Sequence, residues 1–248
     1  MLSLADGSSD TTTEVRWLQG RRMFIDLRRP SPDRDFANVS CLNDLSMSDV
    51  EWLATQEGFA GILAVAGAHF KWRRWIDYQP ASGRADAGSL EWGEDRLIER
   101  GRDVDYVEHW HRDEGLTRTP CAALHLQELG LQTKALVLRV GQTFMFARDR
   151  SLPLPALGRL RDCVAAAANL SEARTLIDCE ISIGTVSADG FRITSSTLPH
   201  RRGARLELRV EPGTALHVDC DAAGAQVTRI WDIVECEGDI VSGFRCSA

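Results

Sequence analysis

The stretch HFKWRRWIDYQPASGRADAGSLEWGEDRLIERGRDVDYVEHWHRDE, residues 69–114, decides the fold. It carries four of the seven Trp, both Tyr and three of the six His, on short runs that alternate in polarity. Alternation with a period of two is the pattern of strands with unlike faces. Gly and Pro between the runs mark turns, so a small antiparallel barrel is expected. Parity sorts the side chains: Phe70, Trp72, Arg74, Ile76 and Tyr78 share one face, and Lys71, Arg73, Trp75, Asp77 and Gln79 the other. Tyr106, Glu108 and Trp110 likewise oppose Val107, His109 and His111.

If the aromatic faces point inward, Arg74 and Glu108 are charges inside a barrel, where an unpaired charge is costly. Two roles follow. They form a buried pair that plugs the barrel, or they serve a ligand, with Arg74 holding its acid or carbonyl and Glu108 orienting it or acting as base. The candidate ligand-binding set is Trp72, Arg74, Tyr78, Tyr106, Glu108 and Trp110, and the catalytic pair, in an enzyme, is Glu108 with Arg74. His109 and His111 have the spacing of two metal ligands on one strand face. No spacing selects a third from His69, Asp77, Glu99 or His125, and a wet surface face is the simpler expectation.

Upstream, Val15–Pro30 suggests two strands around Gly20, and Ser46–Gln56 a helix with a Ser48/Glu51 capping box. Ile62–Ala66 and Phe70–Gln79 follow as a hairpin. Further strands are expected at Ser89–Trp92, Arg96–Glu99, Tyr106–His111 and Ala122–Leu126. The second half begins with a hairpin, Lys134–Val140 and Thr143–Arg148, through Gly141-Gln142. Leu154–Asn169 is an expected helix with Leu157, Leu160 and Val164 on one side, Asn169 as its stop and Ser171–Leu176 as one further turn. Strands recur at Ile177–Val186, Phe191–Thr197, Arg205–Val210, Ala215–Asp219 and Thr228–Glu235.

The halves correspond at an offset of about 120 residues: Phe24–Arg28 with Phe144–Arg148, Gly61–Pro80 with Glu180–Pro199, and Tyr106–Trp110 with Val227–Trp231. Two β-barrels in tandem explain this better than one sandwich. The expected division is a flexible N-terminus over 1–14, a first barrel over 15–128 and a second over 129–248.

Composition narrows the function. A net charge of −7, with the Arg pairs scattered among acids, lacks the footprint of a nucleic-acid surface. The N-terminus does not read as a signal peptide, and no run approaches the roughly 18 apolar residues of a membrane span. Seven widely spaced Cys without CxxC suggest reduced thiols and a cytoplasmic location. GxSxG, Walker and HExxH signatures are absent, and no cofactor is expected. Cys179 is expected to be a buried thiol, and Ser195-Ser196-Thr197 to fill a strand.

The pattern resembles the Hri-one-type family, fungal and bacterial proteins with two lipocalin-like barrels in tandem. The resemblance is carried by Phe59-Ala60-Gly61, Trp75, Asp77, Asp86, Gly88, Glu99, Gly101, Tyr106, Glu108 and Trp110, and by Ala135-Leu136-Val137-Leu138. Against bacterial members it extends to Trp17-Leu18-Gln19, Asp26, Arg28, Ser196-Thr197-Leu198-Pro199 and Gly203, with Phe191 and His200 standing where Trp is expected. It implies two calycin-like barrels, each with a helix at its mouth, and protein partners for the fungal members; it transfers no reaction. The expectation is therefore a mainly β protein that binds a small, largely apolar ligand in its first barrel. The alternatives are a lyase, isomerase or hydratase on that barrel and a plugged scaffold for a protein partner.

Overall fold

A computed structural model describes residues 2–4, 9–114, 117–154 and 158–244. Part of the expected flexible N-terminus (1 and 5–8), Gly115, Leu157 and Cys246 lie outside the described residues. The fold is mainly β, as expected: two antiparallel, curled half-barrel sheets with a few short helices.

Sheet A contains β1 (Leu2–Leu4), β2 (Ser9–Asp10), β3 (Glu14–Gln19), β4 (Met23–Arg29), β5 (Glu57–Ala66), β6 (His69–Asp77), β7 (Ala87–Trp92), β8 (Leu97–Gly101) and β9 (Tyr106–Trp110). Its order is β2-β1-β9-β8-β7-β6-β5-β4-β3. Sheet B contains β10 (Cys121–Glu128), β11 (Lys134–Val140), β12 (Thr143–Arg148), β13 (Glu180–Ser187), β14 (Gly190–Ser196), β15 (Glu207–Glu211), β16 (Thr214–Cys220) and β17 (Gln226–Gly238). Its order is β14-β13-β12-β11-β10-β17-β16-β15. The helices are α1 (Met47–Leu53), α2 (Leu160–Ala165), α3 (Leu170–Leu176) and α4 (Ile240–Phe244).

The two-copy pattern reappears in the topology. The hairpin β3–β4, a helix, then the hairpin β5–β6 correspond to β11–β12, two helices, then β13–β14. Both β5–β6 and β13–β14 carry a register shift at a glycine, Gly61 and Gly184. A Cβ at Gly61 would lie 2.0 Å from the Arg73 carbonyl oxygen, and one at Gly184 2.1 Å from that of Arg192, so the bulge demands a residue without one.

Several sequence expectations need correction. The stretch expected to fray supplies β1, which pairs with β9. Cys121–Glu128 opens sheet B, between β11 and β17, so the change of sheet falls before residue 121 and not at 128. The capping box of α1 uses Ser46 and Asp49, not Ser48 and Glu51. Among the described residues of the expected helix Leu154–Asn169, α2 is the helical part, and Asn169 starts a helix, its side chain accepting from the Glu172 amide at the head of α3. An Asn side chain serves a helix start as readily as a stop, which is why it misleads.

One core joins the sheets. Met23, Ile25, Leu27, Ala60, Ile76 and Tyr78 of the first half pack against Ala123, Leu136, Leu138, Met145, Ala147 and Ile181 of the second, with the helices around them. A separate core fills sheet B, where Phe144, Phe146, Phe191, Trp231 and Leu206 meet and Phe244 of α4 stacks on Phe191. Backbone bonds from Leu206 to Phe191 and from Ile193 to Ala204 draw the end strands of sheet B together.

Candidate functional site

Strand β4 reads Phe24, Ile25, Asp26, Leu27, Arg28. Ile25 and Leu27 enter the core between the sheets, which turns Phe24, Asp26 and Arg28 to the inner face of sheet A. The sheet curls far enough for β9 to reach β3 and β4. Trp17 and Trp110 meet edge to face at 5.1 Å, and Arg28 grips Glu108 through two bonds of 2.6 and 3.2 Å while its Nε donates to Asp26 at 2.9 Å.

Between these walls lies an open cavity of about 1280 Å³. Trp17, Phe59, Trp72, Tyr106 and Trp110 supply its rings. Six acidic and six basic side chains also line it, so the cavity as a whole favours neither sign. Arg74 lies over the Phe59 ring, its guanidinium carbon 3.6 Å from the centroid, and is held by Asp77 at 2.9 Å and by Asp86. Glu99 accepts from the Tyr106 hydroxyl at 2.7 Å and from Trp110 Nε1 at 2.9 Å.

Burial, with the Glu108 carboxylate nearby, pushes Glu99 up to about 7 despite those two donors. Burial also pushes Asp26 up to about 6, against the pull of Arg28. Burial and the adjacent Glu99 carboxyl raise Tyr106 far above the usual phenol range, so it acts as a donor and not as a phenolate.

Of the residues expected to bind a ligand, Trp72, Arg74, Tyr106, Glu108 and Trp110 line this cavity. Tyr78 does not: it is buried in the core between the sheets, its hydroxyl donating to the Leu53 carbonyl at 3.1 Å. The cause is the bulge, which pairs Gly61 with Arg74 and Ala60 with Ile76 and so reverses the alternation of β6 beyond Arg74. Asp77, expected on the opposite face, enters the cavity instead. The expected Arg74–Glu108 pair is not formed, since Arg28 takes Glu108 and Asp77 with Asp86 takes Arg74. Trp17, Asp26, Arg28, Phe59, Asp86 and Glu99 are outside the expected ligand-binding set, Glu99 being weighed only as a third metal ligand. For Asp26 and Arg28 the signal is a pair of charges at alternate positions among Phe24, Ile25 and Leu27.

Among the described residues, no three His, Cys, Asp or Glu side chains are placed to hold a metal ion. His125 stacks on Trp75 with 4.0 Å between centroids, and Glu99 and Asp77 are engaged as above. Cys179 is fully buried, and burial pushes its thiol up to about 12, far from a reactive range. Ser195 accepts from Arg29 Nη1 at 2.8 Å, and Ser196 and Thr197 are spent on hydrogen bonds within the second half. No helix among the described residues is long and apolar enough to cross a membrane.

The fold and cavity define a mainly β protein of two curled sheets, one open and one filled. No family model matches the chain. No curated protein matches it either. Among solved structures, an uncharacterized protein of Saccharomyces cerevisiae, YLR301w, is similar over 92% of this chain and 98% of its own, at 12% identity and a TM-score of 0.46, too distant to bear on the site.

Proposed function

We propose that the chain is a binding protein for a small organic molecule with a flat, largely apolar body, held in the interior of sheet A. The contrast between the two copies carries the proposal. Phe144, Phe146, Phe191, Trp231 and Phe244 fill one part of the interior of sheet B and the buried charges Arg148, Glu180, Arg201 and Asp219 another, leaving a cavity of only about 130 Å³, whereas the interior of sheet A, of the same strand pattern, keeps its rings around about 1280 Å³ of open space. Small barrels either fill with side chains or hold one ligand. A scaffold with both interiors plugged fits sheet B and not sheet A. Of the positions carrying the Hri-one-type resemblance in the first half, Trp17, Asp26, Arg28, Phe59, Asp77, Asp86, Glu99, Tyr106, Glu108 and Trp110 line this cavity, and Leu18, Gln19, Ala60, Gly61, Trp75, Gly88 and Gly101 do not; the polar and aromatic share of the set supports a lipocalin-like use of it.

An enzyme on the same sheet is the second reading, and one observation favours it in altered form. Glu108 is committed to Arg28, whereas Glu99, pushed up to about 7, is poised as an acid or base at neutral pH. N-phenyl-1-naphthylamine, neutral and flat, tests the binding reading through its own fluorescence and through quenching of the cavity Trp. Binding that weakens at least about tenfold in Trp72→Ala, about 1.4 kcal/mol, is the expected result. Absence of binding, or binding indifferent to that substitution, overturns it.

A further inference from the structure

The charges of the cavity fall into two sets. The inner carboxylates all have partners: Glu108 and Asp26 hold Arg28, Asp77 and Asp86 hold Arg74, and Glu99 accepts from Tyr106 and Trp110. The outer set is different. Arg73 on β6, Arg84 on the loop between β6 and β7, and Arg159 just ahead of α2 are exposed, and all three line the same cavity. Among the described residues, no carboxylate lies within ion-pair distance of any of them. Lys71, half-buried, lines the cavity beside them, and Glu57 is the one exposed acid of the lining.

Exposed arginines are commonly solvated and nothing more. Here β6, the loop that follows it and, from the second half, the segment ahead of α2 bring theirs to a single mouth, while the cavity below holds Arg28 and Arg74 paired among five acidic groups. A negative charge is favoured at such a mouth and disfavoured below it. An uncharged ring system is suited to the Trp72–Phe59–Trp110 walls.

We infer that the ligand of sheet A is an amphipathic anion, its flat apolar body inside and a carboxylate, sulfonate or phosphate group held at the mouth by Arg73, Arg84, Arg159 and Lys71. The inference rests on the binding reading above and refines it to a ligand class and an orientation. Guanidinium groups suit such head groups because their forked donors match paired oxygens. Because the mouth is wet, the attraction is screened by salt.

The test compares two probes of one skeleton. 8-Anilino-1-naphthalenesulfonate carries an anionic group that N-phenyl-1-naphthylamine lacks. The full chain is expected to bind the sulfonate at least about tenfold more tightly at low ionic strength, about 1.4 kcal/mol, and the preference is expected to shrink as salt rises. In the triple variant Arg73→Gln/Arg84→Gln/Arg159→Gln, which alters only exposed side chains, the preference is expected to vanish while affinity for the neutral probe stays unchanged. Equal affinity of the two probes in the natural chain, or a preference that survives the triple variant, overturns the inference and leaves the binding cavity standing. If neither probe binds, the cavity reading itself fails and the inference with it.

Discussion

Arg28 is the residue on which the interior of sheet A depends. It ties β4 to β9 through Glu108 and neutralises Asp26, all three being largely removed from water. Arg28→Leu would leave two carboxylates without their cation, and the expected loss is about 3–5 kcal/mol, measured by urea unfolding. The companion Arg28→Leu/Glu108→Leu is expected to recover part of that loss, because one of the two stranded carboxylates goes too and only Asp26 is left. A second prediction concerns protons. Glu99 and Asp26 titrate in the folded chain near 7 and 6, above their ordinary values of 4.5 and 3.8. Raised values mean that the folded state holds these protons more tightly than the unfolded one. Their contribution to stability is therefore fully present below about pH 4 and is lost as pH rises through 6 and 7. Glu99→Gln should flatten the stability profile between about pH 5 and 8. An unchanged slope in that variant would contradict the assignment.

At the scale of elements, the bulges and caps are where local chemistry decides geometry. Gly61→Ala and Gly184→Ala each drive a methyl group into a carbonyl oxygen, and each is expected to cost about 1–3 kcal/mol or more by chemical denaturation. Ser46→Ala removes the side chain that caps α1 and should cost about 1 kcal/mol, clearly more than Ser48→Ala, whose hydroxyl accepts from Arg34 Nη2 and shares a hydrogen bond with the Ser46 hydroxyl, both at the surface. The same elements explain what the chain betrays before it is folded. The alternation of Tyr106, Glu108 and Trp110 sits on a short strand without irregularity, so its inner face could be assigned from polarity alone. The alternation of β6 could not, because nothing in Arg73-Arg74-Trp75-Ile76 announces the extra residue that turns Asp77 in and Tyr78 out. The glycine that permits the bulge lies on the neighbouring strand. Partner choice was hidden for a similar reason: Arg28 and Arg74 both alternate with apolar residues, and only the curl of the sheet decides which of them meets Glu108. Asp10 shows how an end segment escapes notice. Its carboxylate collects Thr12 and Thr13 in a turn that composition alone presents as a frayed polar tail.

For the whole molecule, the shared core and Arg150 predict one cooperative unit. Arg150 of the second half donates to the Asp77 and Tyr78 carbonyls of the first at 3.0 and 2.9 Å and to Leu176 at 3.0 Å. Six of the seven Trp lie before residue 111, so their fluorescence reports the first half, while circular dichroism reports both. Coincident urea transitions by the two signals are expected, and Arg150→Met should lower both midpoints together, by about 1–3 kcal/mol for the buried carbonyls it strands. Two separated transitions would mean that the sheets stand alone. The central claim, that one sheet is filled by its own side chains and the other keeps room for a ligand, is tested most directly by native mass spectrometry of the chain purified from cells, beside a denatured sample. The expected result is a bound organic mass that is released on denaturation and is missing from Trp72→Ala. A bare mass for the natural chain, with no added mass after incubation with 8-anilino-1-naphthalenesulfonate or N-phenyl-1-naphthylamine, would contradict it.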